Sequence, residues 1–467
     1  MMKLRDYRLL VFFLMLSVTT FAQKNISGIV SNADAKELSG VMIFDADGGW
    51  LATSNLEGVF EFVTDKNEIN LIFYLANYEV FEKSISISSD TLKINVDLLE
   101  LTEELSEVIL TAQERRVFNL KRLRDVEGTA IYAGKKTEVV LVEQSLANLA
   151  SNNARQIYNQ VAGLNIYQND DAGLQLNIGG RGLDPNRTSN FNTRQNGYDI
   201  SADVLGYPES YYTPPSEALE EIQIVRGAAS LQYGTQFGGY INFKFKEPKL
   251  NDPFEFVTRN TIGSNGLFTN FTAVGGTTNK LSYYSFFNYK RGDGFRPNSE
   301  FESKSGHIHL GYQFNERTKL TAEVTVLKYL AQQAGGLTDE MFEEDPYQSN
   351  RERNWFEVDW LLYNFLLSHK FLNDASFTFS FFGLDAARNA IGFRTNRVSQ
   401  IDPGGVRDLI KGTFRNFGFE ARYLNEYKFF EKKSTFVIGG KYYNASNTST
   451  QGPGSDGSDA NFNFQFE

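Results

Sequence analysis

The chain has 467 residues, with 57 acidic against 46 basic side chains and a formal net charge of −11, a balance that argues against nucleic acid as a partner. It contains no Cys, which rules out disulfides, thiolate metal ligands and cysteine nucleophiles. Phe (40) and Tyr (23) make it rich in aromatics, yet mean hydropathy is −0.36, and no segment beyond the N-terminus offers the ~18 consecutive apolar residues of a membrane-crossing helix.

Lys3, Arg5 and Arg8 precede an apolar run from Leu9 to Leu16, and Thr20 and Ala22 supply the small residues of a cleavage site. The run is too short to span a bilayer, so residues 1–22 read as a secretory signal peptide, with the mature chain starting at Gln23 and no Cys there to carry a lipid anchor. From 23 to 101, short alternating strands broken by Gly, Asn and Asp turns predict a small β-sandwich. The cluster Asp45-Ala46-Asp47-Gly48-Gly49 lacks the remaining ligands of a calcium loop and reads as a hairpin turn. The stretches 28–30 (GIV), 39–43 (SGVMI) and 53–62 (TSNLEGVFEF) resemble the carboxypeptidase-regulatory-like domain. Asn77 stands where that family usually has Gly, and Asn tolerates the left-handed turn.

Residues 102–137 form a charged connector. Within it, Val108-Ile109-Leu110-Thr111, following Glu107, is an apolar β-prone segment suited to adding onto the edge of another protein's sheet; the competing reading makes it a last strand of the preceding sandwich. Residues 138–248 predict a small sheet that holds loops. The sequence places a strand at Val139–Val142, an amphipathic helix near Asn153–Val161 with Ile157 and Val161 on one face, and a stop at Gly163. A strand from Leu164, a polar loop over 184–215 and a short helix at Ser216–Glu220 lead into Glu221–Lys246. There two β-type runs enclose Gly227, Gly234, Gly238 and Gly239, with Ile222, Ile224 and Leu231–Tyr233 as buried strand positions and Arg226 at the turn between them. Each glycine permits a positive φ or a close backbone approach.

From 249 onward, aromatics and branched apolar residues alternate with Ser, Thr, Asn and charges, the pattern of an outer-membrane β-barrel whose strands cross lipid in about 9–11 residues. Short turns at Thr277–Asn279, Asn315–Arg317, Asn373–Asp374 and Glu431–Lys433 alternate with long polar loops at Ala331–Asn354, Ala386–Lys411 and Ser446–Ala460. His307 and His309 share one strand face, but the sequence shows no nearby carboxylate or Cys to complete a metal or nucleophile set, so neither a metal site nor an enzyme is expected.

Signal peptide, β-sandwich, connector, loop-rich domain and aromatic barrel, in this order, resemble a TonB-dependent outer-membrane receptor with an N-terminal extension. Glu107 to Thr111 resembles the TonB box. Arg181-Gly182-Leu183 and Glu221 to Gly234, with Arg226 and Gly227, resemble the plug signatures, and Gly238-Gly239-Tyr240-Ile241-Asn242 matches the end of the plug. Ala162 stands where the family commonly has Pro, and Gln236-Phe237 replaces the usual small residues. The resemblance implies a mainly β chain: the N-terminal β-sandwich, an α+β plug domain (138–248) and part of a transmembrane antiparallel β-barrel (249–467). The family barrel has about 22 strands, against roughly ten that fit here. Because an open sheet in lipid leaves backbone groups unpaired, the chain is expected to be the N-terminal part of a longer receptor.

Within that family, residues 184–215 and 225–239 look most like receptors of the ferric-citrate type. This implies energy-coupled uptake of a ferric chelate across the outer membrane, with TonB and its inner-membrane energising complex as partner, outer-membrane lipid as surroundings, no cofactor and no bond chemistry. A ferric dicitrate complex is anionic and already fills its iron coordination, so Arg forks and amide donors would hold it. Arg187, Arg194, Gln195 and Asn196 in the plug loop, and Arg351, Arg353, Arg394 and Arg397 in the predicted extracellular loops, are the candidates. Arg226 is expected to pair with an acidic residue of plug or barrel wall. The alternatives are a TonB-dependent importer of oligosaccharides or peptides, marked by an aromatic platform with amide donors, and a non-transporting surface binding protein.

Overall fold

The computed structural model describes residues 24–99 and 120–466, apart from 33–35, 47–48, 76–77, 79, 88, 90, 135, 146, 159–160, 168–169, 175–176, 181, 183–190, 203–210, 227–231, 235–237, 251, 373–374, 396 and 431. Residues 1–22, read from sequence as a signal peptide, and the segment Glu107–Thr111, read as a TonB box, lie outside the described residues. The chain divides into two compact units, Met1–Arg115 and Arg116–Glu467.

The first unit is a two-sheet β-sandwich of β1 (Lys24–Asn32), β2 (Met42–Asp45), β3 (Trp50–Thr53), β4 (Val59–Thr64), β5 (Glu68–Tyr74), β6 (Phe81–Ser86) and β7 (Thr91–Leu98). One sheet has the order β4-β1-β7, with β1 and β7 parallel, and the other the order β3-β2-β5-β6. Alternation sets the faces: in β4, Phe60 and Phe62 point into the core with Ile26, Val41, Leu71, Phe73 and Val96, while Val59, Glu61 and Val63 point out. Gly28 lets β1 lie against β7, because a Cβ there would fall 1.7 Å from the carbonyl oxygen of Ile94. The Asp45 turn joins β2 to β3 as a hairpin, and its carboxylate pairs with Lys66 at 2.7 Å.

The second unit begins with a domain built on a six-stranded sheet. Its strands are β8 (Leu120–Lys121), β9 (Val126–Glu127), β10 (Ala130–Ile131), β11 (Thr137–Leu141), β12 (Leu164–Ile166), β13 (Ile178–Gly180), β14 (Phe191–Gln195), β15 (Tyr198–Asp199), β16 (Leu219–Val225) and β17 (Gly239–Phe245), with a helix α1 (Ala154–Tyr158) before Gly163 at φ +74°. The sheet order is β15-β14-β17-β16-β11-β8, and β14 runs parallel to β17. Two expectations change here. Gln232 and Tyr233 lie in a turn, not a strand; Tyr233 is buried because its ring stacks on Tyr240 at 4.1 Å, a contact that needs no sheet alternation. The polar loop over 184–215 contains a hairpin, since Asn196 and Gly197 both take positive φ (45° and 88°) and join β14 to β15. An Asn-Gly pair is the residue choice that such a two-residue turn demands.

A nine-stranded antiparallel meander follows: β18 (Glu255–Ile262), β19 (Phe268–Thr278), β20 (Leu281–Gly292), β21 (Phe301–Asn315), β22 (Thr318–Gln332), β23 (Trp355–Lys370), β24 (Ala375–Gly392), β25 (Asp408–Phe429) and β26 (Lys432–Pro453), with a short helix α2 (Asp339–Glu344) in the connection after β22. The last two hairpins are longer than the sequence suggested. β24 and β26 run through Ala386–Gly392 and Ser446–Pro453, both expected as loop, because the backbone ladder with β25 continues without a break from Ala386 opposite Phe414 to Gly392 opposite Asp408 and from Ser446 opposite Arg415 to Pro453 opposite Asp408.

The outward face defines that band. Ile308, Leu310, Tyr312 and Phe314 on β21, Leu320, Val324 and Val326 on β22, Leu361 and Phe365 on β23 and Phe417 and Phe419 on β25 are exposed there. Toward the long loops the band ends in outward ion pairs: Lys304 with Glu302, Lys328 with Asp359 (3.5 Å) and Arg415 with Asp385 (3.6 Å). From the turn at Thr318 to Lys328, about ten residues at ~3.3 Å and a tilt near 40° cross about 25 Å, the height of a barrel's lipid-facing belt. The inward face is mixed and covered: Ser303, Ser305, His307, Thr321, Glu323, Thr325, Asn364 and Asn416 are buried on it, and so are Phe271, Phe286, Leu327, Trp360, Leu362 and Phe414, which share one apolar cluster with the domain before them.

Gly239 starts β17 at φ +119°, and a Cβ there would meet the Val225 carbonyl oxygen at 2.3 Å. Gly239→Ala is expected to cost about 1–3 kcal/mol from backbone strain alone, read as a lower urea midpoint; a midpoint equal to wild type would show that the approach of β16 and β17 does not depend on this glycine.

Candidate functional site

The α+β domain sits against the inner face of the nine-stranded wall through a shared apolar cluster that includes Tyr211, Phe245, Phe286 and Trp360, and within the contact lies a cluster of buried charges. The β14–β15 hairpin places Arg194 opposite Asp199. Arg194, 1% exposed, ion-pairs with Asp199 (3.1 Å) and with Glu420 of β25 (3.1 Å), and donates to the carbonyl oxygens of Gly197 (2.7 Å) and Tyr233 (3.2 Å). Glu420 also pairs with Arg422 at 2.5 Å, and Asp199 with Lys441 of β26. The Arg194 and Arg422 guanidinium carbons lie 5.0 and 4.5 Å from the centre of the Tyr233 ring. Burial disfavours ionisation of Asp199, but Arg194 and Lys441 outweigh it and hold the carboxyl below its ordinary range.

Around this cluster, single hydrogen bonds join domain to wall. Lys290 of β20 donates to the carbonyl oxygens of Ser151 (2.7 Å) and Ala172. Gln195 donates to Thr325 (2.9 Å), Asn196 to Glu323 (2.7 Å), Arg388 to Tyr211 (3.0 Å) and Asn416 to the carbonyl of Ala202 (3.2 Å). The hydroxyls of Thr129 and Thr378 share a bond of 2.8 Å. Most of these contacts are polar pairs that water can replace one at a time. Two cavities flank the seam. One of about 410 Å³ lies toward the short turns, lined by Tyr240, Lys244, His309, Glu323 and Arg422. The other, about 550 Å³, lies toward the long loops between Arg155, Asp170 and Asp171 of the domain and Arg296, Tyr329 and Gln333 of the wall.

Residues 134–240 match the TonB-dependent Receptor Plug Domain. Among solved structures, the chain is similar to the ferric citrate transporter FecA in its unliganded form, with 20% identity over 70% of this chain and 49% of that chain and a TM-score of 0.59. It is also similar to the P. aeruginosa FpvA–pyoverdine–Fe complex (16% identity, 68% and 43% covered, TM-score 0.54) and to BauA, the ferric preacinetobactin receptor from Acinetobacter baumannii (14%, 71% and 51%, TM-score 0.54). At these identities the likeness is one of fold, a plug against the strands of a receptor barrel. The chain spans about half the length of the structures it matches. Among curated proteins, no sequence matches it.

The structure redistributes the residues named from sequence. Arg181, Arg187 and Gly227 lie outside the described residues. In the plug, Arg226 pairs with Glu138 at 2.8 Å and donates to the Ala162 carbonyl, as expected of a structural arginine. Asn242 donates to Gln223 and accepts from the Gly197 amide, and Gln223 in turn donates to Glu221, a buried polar ladder across β16 and β17. Gly182, Gly234 and Gly239 all take positive φ.

The ligand-binding candidates change more. Arg194, Gln195 and Asn196 are not ligand donors at a plug apex, because the Asn-Gly turn folds them back into the seam, where their polar groups are taken up by plug and wall. Arg351 is buried and donates to the carbonyls of Asn350 and Gln400. Arg353 forms a fork on Asp402 (2.9 and 2.6 Å) that lowers the Asp402 pKa. Both brace loops and leave no free fork for an anion. Arg407, which sequence reading passed over, does the same, donating to the carbonyls of Arg353, Ser455 and Asp459. Arg394 and Arg397 are exposed and form no ion pair among the described residues, as is Arg155 at the rim of the larger cavity. Glu323 corrects the expectation that no carboxylate lies near His307 and His309: it faces His309 directly across β21 and β22. Reflecting the strand through the turn at Asn315–Arg317 would have found it.

If the seam is seated by charge, Asp199→Asn should destabilise the plug at pH 7 by about 3–5 kcal/mol, the cost of stranding a buried partner. Release of the plug in urea can be followed by Trp360 fluorescence, since Tyr211 of the plug packs on that ring at 6.2 Å. Because the folded-state pKa is depressed, the contribution is full above the ordinary value of about 3.9 and is lost as pH falls through the lower folded value. The gap between variant and wild type should therefore hold from pH 7 to 5 and narrow progressively as pH falls below the ordinary value; a gap at pH 3 equal to that at pH 5 would mean that the charge of Asp199 is not what holds the plug.

Proposed function

We propose that this chain is the N-terminal part of an outer-membrane TonB-dependent receptor that takes up an anionic ferric chelate of the ferric-citrate kind, without bond chemistry of its own. The observation that carries the reading is the matched plug domain seated, by buried ion pairs, on the inner face of a sheet whose outer face bears an apolar belt. An N-terminal sandwich of the carboxypeptidase-regulatory-like type and a TonB box at Glu107–Thr111 complete it. In this reading the ligand meets the long-loop side, where Arg155, Arg394 and Arg397 offer unpaired guanidinium groups above a plug whose polar seam can open. Pulling on the TonB box would then displace the plug and admit the chelate.

A second reading, import of an oligosaccharide or peptide, is favoured by one observation. Phe295 lines the larger cavity with Gln333, is exposed, and has the exposed ring of Tyr347 at 4.9 Å, an aromatic pair with an amide of the kind that stacks on sugar rings or peptide side chains.

Cells producing the whole receptor, and lacking other ferric citrate importers, should accumulate radiolabelled ferric citrate only when energised. Deleting Glu107–Thr111 should abolish accumulation and leave surface binding intact. Arg394→Ala with Arg397→Ala should weaken binding about tenfold or more, the loss of charge-assisted bonds, with unchanged stability. Uptake that survives the deletion contradicts transport by this route; binding lost in Phe295→Ala with Tyr347→Ala, and kept in the arginine variant, assigns the site to the second reading.

A further inference from the structure

Three side chains on the inner wall bring metal-ligating groups together, and each carries a buried, unpaired ligand atom. The register of β21 and β22 sets His309 opposite Glu323 and His307 opposite Thr325, two residues along on the same face. One ligand atom from each of His307, His309 and Glu323 lies within 4.8 Å of the other two. Nε2 of both histidines and Oε2 of Glu323 are buried and have no hydrogen-bond partner among the described residues. Leaving one such atom unpaired is unfavourable; three, one on each member of the cluster, call for a partner.

The remaining atoms of these groups are held in place. Nδ1 of His307 shares a hydrogen bond of 2.8 Å with Thr325 Oγ1, and Nδ1 of His309 shares one of 2.8 Å with Glu323 Oε1. Asn196 of the plug donates to the same Oε1 at 2.7 Å. The His307 ring is also wedged against Phe245 (4.5 Å) and Phe286 (5.6 Å). Hydrogen bonds from outside a metal's ligand set are what fix imidazole and carboxylate ligands in orientation.

We propose that His307, His309 and Glu323 bind one divalent first-row transition-metal ion at the seam between plug and wall. Two imidazoles and one carboxylate suit ions such as Zn²⁺ or Co²⁺, and not Mg²⁺ or Ca²⁺, which take oxygen ligands. His309 and Glu323 line the cavity of about 410 Å³, which leaves room for water to complete the coordination. The ion would tie β21 to β22 and, through the Glu323–Asn196 bond, steady the plug hairpin on the wall. It is a resident of the wall and not the transported chelate, so the site stands or falls independently of the transport reading.

The test is a titration of the whole receptor, purified in detergent and stripped with a chelator, with Co²⁺ followed by visible absorption and with Zn²⁺ as competitor. One equivalent of Co²⁺ should bind and be displaced by Zn²⁺. Affinity should fall by at least about tenfold in His307→Gln and in Glu323→Gln, the second of which keeps an oxygen to accept from Asn196, while His369→Gln, outside the cluster, should bind as wild type. Failure of wild type to bind one equivalent, or undiminished affinity in both site variants with native circular dichroism, overturns the proposal.

Discussion

Arg194 is a charge held where there is no water, and the seat of the plug depends on how that charge is met. Its guanidinium reaches one carboxylate of its own hairpin, Asp199, and one of the wall, Glu420, while Lys441 and Arg422 return from the wall to those same carboxylates. No member can lose its partner cheaply, because an unpaired buried charge costs far more than a buried pair contributes. Such a cluster adds little net stability compared with apolar packing, but it fixes position. It allows the plug one seat and makes leaving it a concerted step, as the proposed transport reading requires.

The wall imposes the complementary constraint. β18 to β26 form a continuous ladder whose side chains alone differ between faces, which is what the proposed place in lipid demands, since a strand there must satisfy its backbone through its neighbours. Alternation sends Ile308, Leu310, Val324 and Val326 outward and His307, Thr321, Glu323 and Thr325 inward. Inward polar groups need partners, and the plug supplies them through Gln195, Asn196 and backbone carbonyls. The polarity of the wall and of the plug are thus two halves of one solution. The long loops carry their own internal order, with Arg351, Arg353 and Arg407 spent on carbonyls and Asp402, so the groups left for a ligand are fewer than the arginine content of those loops suggests.

Local pattern made most of the architecture legible in sequence. Phe60 and Phe62 alternate with Glu61, Gly163 stops a helix, Gly239 marks a close approach, and the short turns of the meander fall where polar dipeptides interrupt apolar runs. What local pattern cannot carry is the identity of a partner far along the chain. Nothing near Arg194 announces Glu420, so a buried seam residue read as an exposed ligand donor. Two signals were present and unused: Asn196-Gly197 prescribes a hairpin that turns Arg194 toward Asp199, and the turn after Asn315 prescribes the strand register that brings Glu323 to His309. The upper halves of β24 to β26 escaped notice because their polar residues have the composition of a loop.

In the proposed transport reading, the plug seated on this wall must leave it for the ligand to pass. Thr129 of the plug and Thr378 of the wall touch at 2.8 Å, and the chain has no native Cys, so Thr129→Cys with Thr378→Cys places one lock across the seam. Oxidised cells carrying this pair in the whole receptor should form the crosslink, bind ligand and fail to import it, with import restored by reductant. A pair that never crosslinks, or a crosslinked receptor that imports at the wild-type rate, would contradict the account.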